Sequence, residues 1–176
     1  MNTFDTLFSR RSVRSYTGEP ASESDLETIL KAADASPIAM GKYEVMHLTV
    51  IQNRELLDKI DAAGAKFFQN PDMHPLYHAP ALILVSTKKP EKNMENVAYS
   101  NAAIIVENMA IAATALNLGA CHIWGAAAAL SFDGELVSKL GLPEGYVPCC
   151  GLTVGKTDEV YSAREIPSDR ISKNRI

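Results

Sequence analysis

The chain has 176 residues, 47% of them hydrophobic and 22% charged, and 17 Lys and Arg against 21 Asp and Glu leave a net charge of −4. That composition belongs to a soluble globular protein with material for one real core, so a single domain is expected; it excludes a chain disordered throughout and a general nucleic-acid binder. Against an acidic background, a local knot of arginines carries information.

No segment is long and apolar enough to span a bilayer, and the opening MNTFDTLFSRR has no apolar run of signal-peptide length, so a cytoplasmic protein with no membrane contact is expected. Cys121, Cys149 and Cys150 are an odd count in apolar, strand-like surroundings, where cysteine behaves as a small hydrophobe; they read as reduced and structural.

Thr3 to Ser9 reads as a short helix with Phe4, Leu7 and Phe8 on one side. Arg10, Arg11, Ser12, Val13 and Arg14 follow at once. Guanidiniums offer planar paired donors and a hydroxyl adds a short hydrogen bond, which suits a phosphate monoester; a solvated basic turn is the alternative reading. Ser22 to Ala35 is an amphipathic helix with capping-box starts at Ser22 or Ser24 and Leu26, Ile29, Leu30 and Ala33 on one face.

Pro37 stops that helix, Ile38 to Glu44 reads as a loop, and Met46 to Gln52 as a strand. Asn53 caps a helix running to about Ala63. Gly64 to Ala79 has no sustained period, and its aromatics and prolines suggest an ordered aromatic loop or a broken helix. His74 and His78 have the i,i+4 spacing of a metal pair, but Pro75 separates them and no third ligand is evident, so no metal is expected. Ala81 to Thr87 (ALILVST) is apolar without alternation, as in strands covered on both faces. Lys88 to Asn93 is a solvated linker.

Val97 to Gly125 is the longest apolar stretch, and Asn101 to Leu118 within it reads as a buried central helix. Ala102, Ile105, Val106, Met109, Ala112, Ala113 and Leu116 recur at helical steps, with Ala or Ile at many positions between them, so apolar partners are expected on more than one side. A second subunit is the economical cover for such a helix, and Ala103, Ala110 and Ala115 are small enough for close helix contact. Gly119 is expected to end the helix, and Ala120 to Ile123 to form a strand leading to Trp124 and Gly125. Ser131 to Leu140 reads as a further helix and Val147 to Val154 as a buried strand. The polar tail, Gly155 to Ile176, ends in Arg170, Lys173 and Arg175; taken alone it reads as solvated.

In this order, RRSVR at Arg10 to Arg14, the helix ending before Ser36 and Pro37, ENMAIAATALNLGA, HIWG, a strand ending at Gly155 and a basic tail resemble the nitroreductase family over nearly the whole chain. The resemblance implies an α+β fold: an α/β/α sandwich with a central, mostly antiparallel sheet and a long buried helix at a dimer interface. It implies an FMN-dependent enzyme that takes electrons from NADH or NADPH and reduces a nitroaromatic, quinone or related conjugated acceptor by a ping-pong mechanism. The chemistry is then on the flavin N5, and no catalytic side chain is assigned.

By the same resemblance Arg10, Ser12 and Arg14 lie near the flavin phosphate and ribityl chain, with Arg11 and Val13 contributing backbone. Met40 and Gly41 come from the loop after Pro37, where IAMGKYEVMH departs from the Asn and Gln-Pro-Trp of common members. Ile123, Trp124 and Gly125 lie against the ring, and Lys173 and Arg175 close over the phosphate from the tail. FMN would sit at the interface of a homodimer. The segment between the central helix and the last strand is too short for the substrate cover of larger members. A flavin-binding, sensing or flavin-degrading protein without turnover on the same scaffold is the competing expectation.

Overall fold

The computed structural model describes residues 2–176. In chain order the elements are α1 (Thr3–Ser9), α2 (Glu23–Asp34), two 3-10 turns (Ala39–Gly41 and Tyr43–Val45), β1 (Met46–Ile51), α3 (Arg54–Phe67), β2 (Ala81–Lys88), α4 (Glu95–Ala115), β3 (Gly119–Ile123), α5 (Gly125–Leu130), α6 (Gly134–Ser138) and β4 (Tyr146–Gly155). The strands form one sheet in the order β1-β2-β4-β3, and every neighbouring pair is antiparallel.

The unalternating ALILVST segment is the inner strand β2, buried from Ala81 to Thr87. Successive side chains of a strand point to opposite faces, so this run feeds two cores at once. Ile83 and Val85 join Met109, Ala113, Leu152 and Val154 on the face covered by α2 and α4. Leu82 and Leu84 join Leu57, Ile60, Ile123 and Leu130 on the face covered by α3 and α5. Each such fully buried side chain contributes about 1.5–3 kcal/mol of transfer free energy, and the result is the helix, sheet and helix layering of an α/β/α sandwich. At the centre, Val85 pairs with Cys150 but Ser86 with Pro148, so Cys149 is an extra residue in β4. A proline that cannot donate to the ladder is tolerated at such a bulge.

Helix starts follow their capping residues. The Ser22 hydroxyl accepts the Asp25 N–H at 3.2 Å and the Asn53 side chain accepts the Leu56 N–H at 2.9 Å. Several boundaries differ from the sequence expectation, and α4 begins at Glu95 rather than Asn101. The helix α3 continues through Gly64 to Phe67, because packing on α5 outweighs the weak helix preference of one glycine. The helix α4 stops at Ala115: Asn117 takes the left-handed turn (φ 58), while the N–H groups of Asn117 and Leu118 cap the carbonyls of Thr114 and Ala113 at 3.0 and 2.9 Å. Gly119 instead opens β3, where a Cβ would stand 2.9 Å from the Val13 side chain. The expected helix over 131–140 shortens to α6, because Asp133 turns its carboxylate onto the Leu136 N–H at 3.0 Å and starts the helix there.

The central helix is buried on one side. Ala102, Val106, Met109, Ala110 and Ala113 pack into the chain's own core, whereas Tyr99, Ala103, Ile104 and Ala115 are exposed. Ala110, expected at a contact between subunits, is therefore an interior residue. No helix among the described residues is long and apolar enough to cross a membrane.

Candidate functional site

After α1 the chain leaves the helix at Arg10 and runs extended beside β3. The Val13 N–H bonds the Ala120 carbonyl at 2.9 Å, the Thr17 N–H bonds Lys156 at 3.0 Å, and the Val13 side chain is fully buried. An extended segment pinned by one buried residue sends its neighbours the other way, so Ser12 and Arg14 are exposed. Both reach Cys121 on β3: burial pushes that thiol up, and the Arg14 charge and a Ser12 hydrogen bond pull it back down. The Arg14 guanidinium lies 5.5 Å from the centre of the Tyr77 ring, and hydrogen bonding to Tyr77 raises its pKa further.

Arg10 points to the outward side of α4. Its Nε stands 3.0 Å from Glu107 Oε1, and the other carboxylate oxygen accepts from His122 Nε2 at 2.9 Å. Burial alone would raise the Glu107 carboxyl, but the His122 hydrogen bond and the Arg10 charge more than offset it and hold it below the usual carboxylate range. Arg11 lies over the Tyr161 ring at 5.7 Å and donates to the Ser162 carbonyl at 3.4 Å.

The tail closes against this segment. The Thr157 hydroxyl donates to Ser15 O at 2.8 Å, the Tyr161 hydroxyl to Leu118 O at 2.7 Å, and Arg164 Nε to Phe8 O at 3.1 Å. Arg164 is held below the ordinary arginine value, first by burial and then by repulsion from Arg10, Arg170 and Arg11. Four guanidiniums thus share one region, and the Nε atoms of Arg10 and Arg11 are buried without an aligned hydrogen-bond partner. Buried donors are normally satisfied, and like charges gathered this closely are stabilised by an anion between them.

Of the tail cations named from the sequence, Lys173 bonds the Ser168 carbonyl and Arg175 is exposed; among the described residues no hydrogen bond or ion pair joins either to the arginine segment. Arg164 and Arg170 stand there instead. A usable signal existed: Arg164 follows the end of β4 by 164 − 155 = 9 residues, a span of roughly 30 Å at most, well matched to a return beside β3.

Ile123 ends β3 in the core, and Trp124 is 63% exposed at the start of α5. The N–H groups of the first α5 residues, Gly125 among them, have no carbonyl of their own helix to donate to. Phe67 meets Trp124 edge-on at 6.1 Å and stacks with Phe132 at 6.0 Å, and Phe68 covers Gly125 so closely that a Cβ would fall 2.2 Å from its ring. An open aromatic wall therefore stands beside the Trp124 turn. His74 is engaged elsewhere: its Nδ1 is 2.7 Å from the carboxylate of buried Asp61, and its ring is 4.1 Å from that of His78.

Met40 and Gly41 are not brought to this place within one chain. Their loop is fastened to α4, with Asn101 accepting the Ala39 N–H at 3.1 Å and Asn108 donating to Ser36 Oγ at 3.0 Å. It lines a cavity of about 540 Å³ with Lys88 and Tyr146, at the opposite end of β2 from Ala81 and Val154. Met40 holds a left-handed backbone (φ 59), costly for an unbranched but bulky residue, and its side chain is exposed.

Residues 7–156 match the model of the nitroreductase family, and the chain belongs to that family. Two solved structures share the fold over its whole length: a nitroreductase with bound FMN from Desulfitobacterium hafniense (TM-score 0.84, 23% identity, 99% of this chain and 100% of the other) and one from Bacteroides fragilis, also with bound FMN (TM-score 0.82, 26% identity, 99% and 100%). An FMN reductase [NAD(P)H] from Bacillus subtilis is 29% identical over 180 residues, covering 96% of this chain and 67% of its own length.

Proposed function

We propose that the chain is an FMN-dependent oxidoreductase that uses NADH or NADPH. The observation that carries this reading is the cluster of four guanidiniums, in which the buried Arg11 Nε has no hydrogen-bond partner; such a cluster fits the dianionic phosphate monoester of FMN. Family membership and the FMN-bound relatives support the rest. When bound, FMN supplies the hydride chemistry between nicotinamide and acceptor.

The chain's own groups do the binding and orienting. Arg10, Arg11, Arg164 and Arg170, with the Ser12 hydroxyl, hold the phosphate; Val13 fixes the backbone that carries them. Arg14, steadied by Tyr77, offers positive charge toward the ring edge, and backbone N–H groups at Trp124 and Gly125 offer donors beside it. The exposed wall of Phe67, Trp124 and Phe132 gives a conjugated acceptor, a nitroaromatic or quinone, a surface to stack on. One open face used in turn by donor and acceptor is the condition for a ping-pong cycle.

The reading includes a homodimer. Phe4, Leu7 and Phe8 on α1 and Tyr99, Ala103 and Ile104 on α4 are exposed apolar groups on two helices that touch each other. Met40 and Gly41, remote from the arginines of their own chain, would reach the flavin of a partner.

The test is titration of Arg164→Ala with FMN and with riboflavin at the same salt concentration. Losing one charge-assisted hydrogen bond, on the order of 1.5–3 kcal/mol, weakens FMN about ten-fold or more and leaves riboflavin nearly unchanged. Equal weakening of both ligands, or of neither, overturns the assignment. Steady-state oxidation of NADH and NADPH in the presence of a quinone separates turnover from flavin binding alone.

A further inference from the structure

Arg10 sits among like charges, with Arg11 and Arg164 close by, yet its Nε is buried rather than pushed out to solvent. What opposes the repulsion is Glu107. Its Oε1 lies 3.0 Å from that Nε, and its Oε2 is pinned by His122 Nε2 at 2.9 Å, so the carboxylate is gripped from two elements, α1's end and β3. A guanidinium has two donor edges: a side edge that includes Nε, and an end edge made by its two terminal nitrogens. A carboxylate on the side edge leaves the end edge free. The Nε–H is close to Glu107 but off the line of a good hydrogen bond, so the contact guides the guanidinium by charge without consuming its strongest donors.

We propose that Glu107, held by His122, is a positioning residue for Arg10: it draws the guanidinium into the arginine cluster and turns its end edge toward the phosphate of the flavin. A carboxylate is an unexpected neighbour for a phosphate, since the two anions repel. Here the advantage of a fixed cation outweighs that repulsion, because an unfixed Arg10 surrounded by Arg11 and Arg164 swings away and its charge is lost to the ligand. This inference rests on the FMN reading above.

The experiment is a double-mutant cycle on the full chain, using Arg10→Ala, Glu107→Ala and the pair, with FMN and riboflavin affinities read by quenching of flavin fluorescence and folding checked by thermal unfolding. Glu107→Ala weakens FMN about ten-fold, the value of one charge-assisted hydrogen bond, and riboflavin hardly at all. In the Arg10→Ala background the same change has no further effect on FMN, because a residue that acts only through Arg10 has nothing left to act on. Glu107→Gln, which keeps the shape of the side chain but removes the charge that guides Arg10, weakens FMN by a similar factor and remains informative if the alanine variant unfolds.

Tighter FMN binding in Glu107→Ala or in Glu107→Gln, additive losses in the cycle, or equal loss of riboflavin overturns the proposal. A wild-type protein that binds FMN and loses affinity in Arg10→Ala, while Glu107→Ala and Glu107→Gln match wild type, overturns the positioning role alone. A wild-type protein that binds no FMN overturns the functional reading, and this inference with it.

Discussion

The two sides of α4 are almost equally apolar in sequence and stand in opposite surroundings. Inward, Ala102, Val106, Met109, Ala110 and Ala113 are at most 2% exposed and touch the sheet and α2. Outward, Tyr99, Ala103 and Ile104 continue the apolar character of the helix but are exposed, Ile104 to 37%. Hydrophobic periodicity reports what a helix is able to bury, not what lies against it. The outward side also carries Glu107, so the exposed surface of α4 includes the carboxylate beside the arginine cluster.

The largest effect that tests this contrast is Ala110→Glu. A charge forced unpaired into the inner core costs about 3–5 kcal/mol, a large part of the stability of a domain this size, so the denaturant midpoint falls steeply or the protein no longer accumulates folded. Ile104→Glu is expected to do the reverse. Folding stability of the isolated chain changes by about 0.5 kcal/mol or less, while sedimentation shifts from dimer to monomer. A comparable collapse in both variants would erase the difference between the sides, and a wild-type monomer at micromolar concentration would remove the partner.

The smallest expected effect sharpens the inward side. Cys149 and Cys150 belong to the same core, and burial pushes their thiols up to about 11 and about 12 from an ordinary value of 9.0. The folded chain keeps protons that the unfolded chain releases, so this contribution to stability is complete below about pH 9 and is lost as the pH rises toward 11 to 12. Wild-type protein should therefore lose more stability between about pH 8 and 10.5 than a Cys149→Ala, Cys150→Ala variant. Identical pH profiles would mean that these thiols are not shut in.

The layering was legible because it rests on local chemistry. The Ser22 and Asn53 caps fixed two helix starts, and the unbroken ALILVST run announced an inner strand with both faces covered. What escaped the sequence was decided by tertiary contact. Gly119 reads as a helix terminator, yet Asn117 served that purpose while Val13 claimed the space over Gly119. The N-terminal arginines were legible as a cluster. The route of the tail was not, since no periodicity fixes an irregular strand of chain, and the hydrogen bond from Arg164 to Phe8 that sets its path spans 156 residues. Met40 and Gly41 follow the same logic: their sequence position says nothing about the 3.1 Å bond from the Ala39 N–H to Asn101 that ties their loop to α4.

That 156-residue span has a consequence for how the molecule is made. At roughly 5–20 residues per second, a ribosome delivers Arg164 on the order of ten seconds or more after Arg10. Until then the early arginines face one another without the strap of Tyr161 and Arg164, although β3, which Val13 pairs with, is already made. The arginine cluster, the phosphate site of the proposed reading, is therefore a late product of synthesis, completed after the strands beneath it have been made.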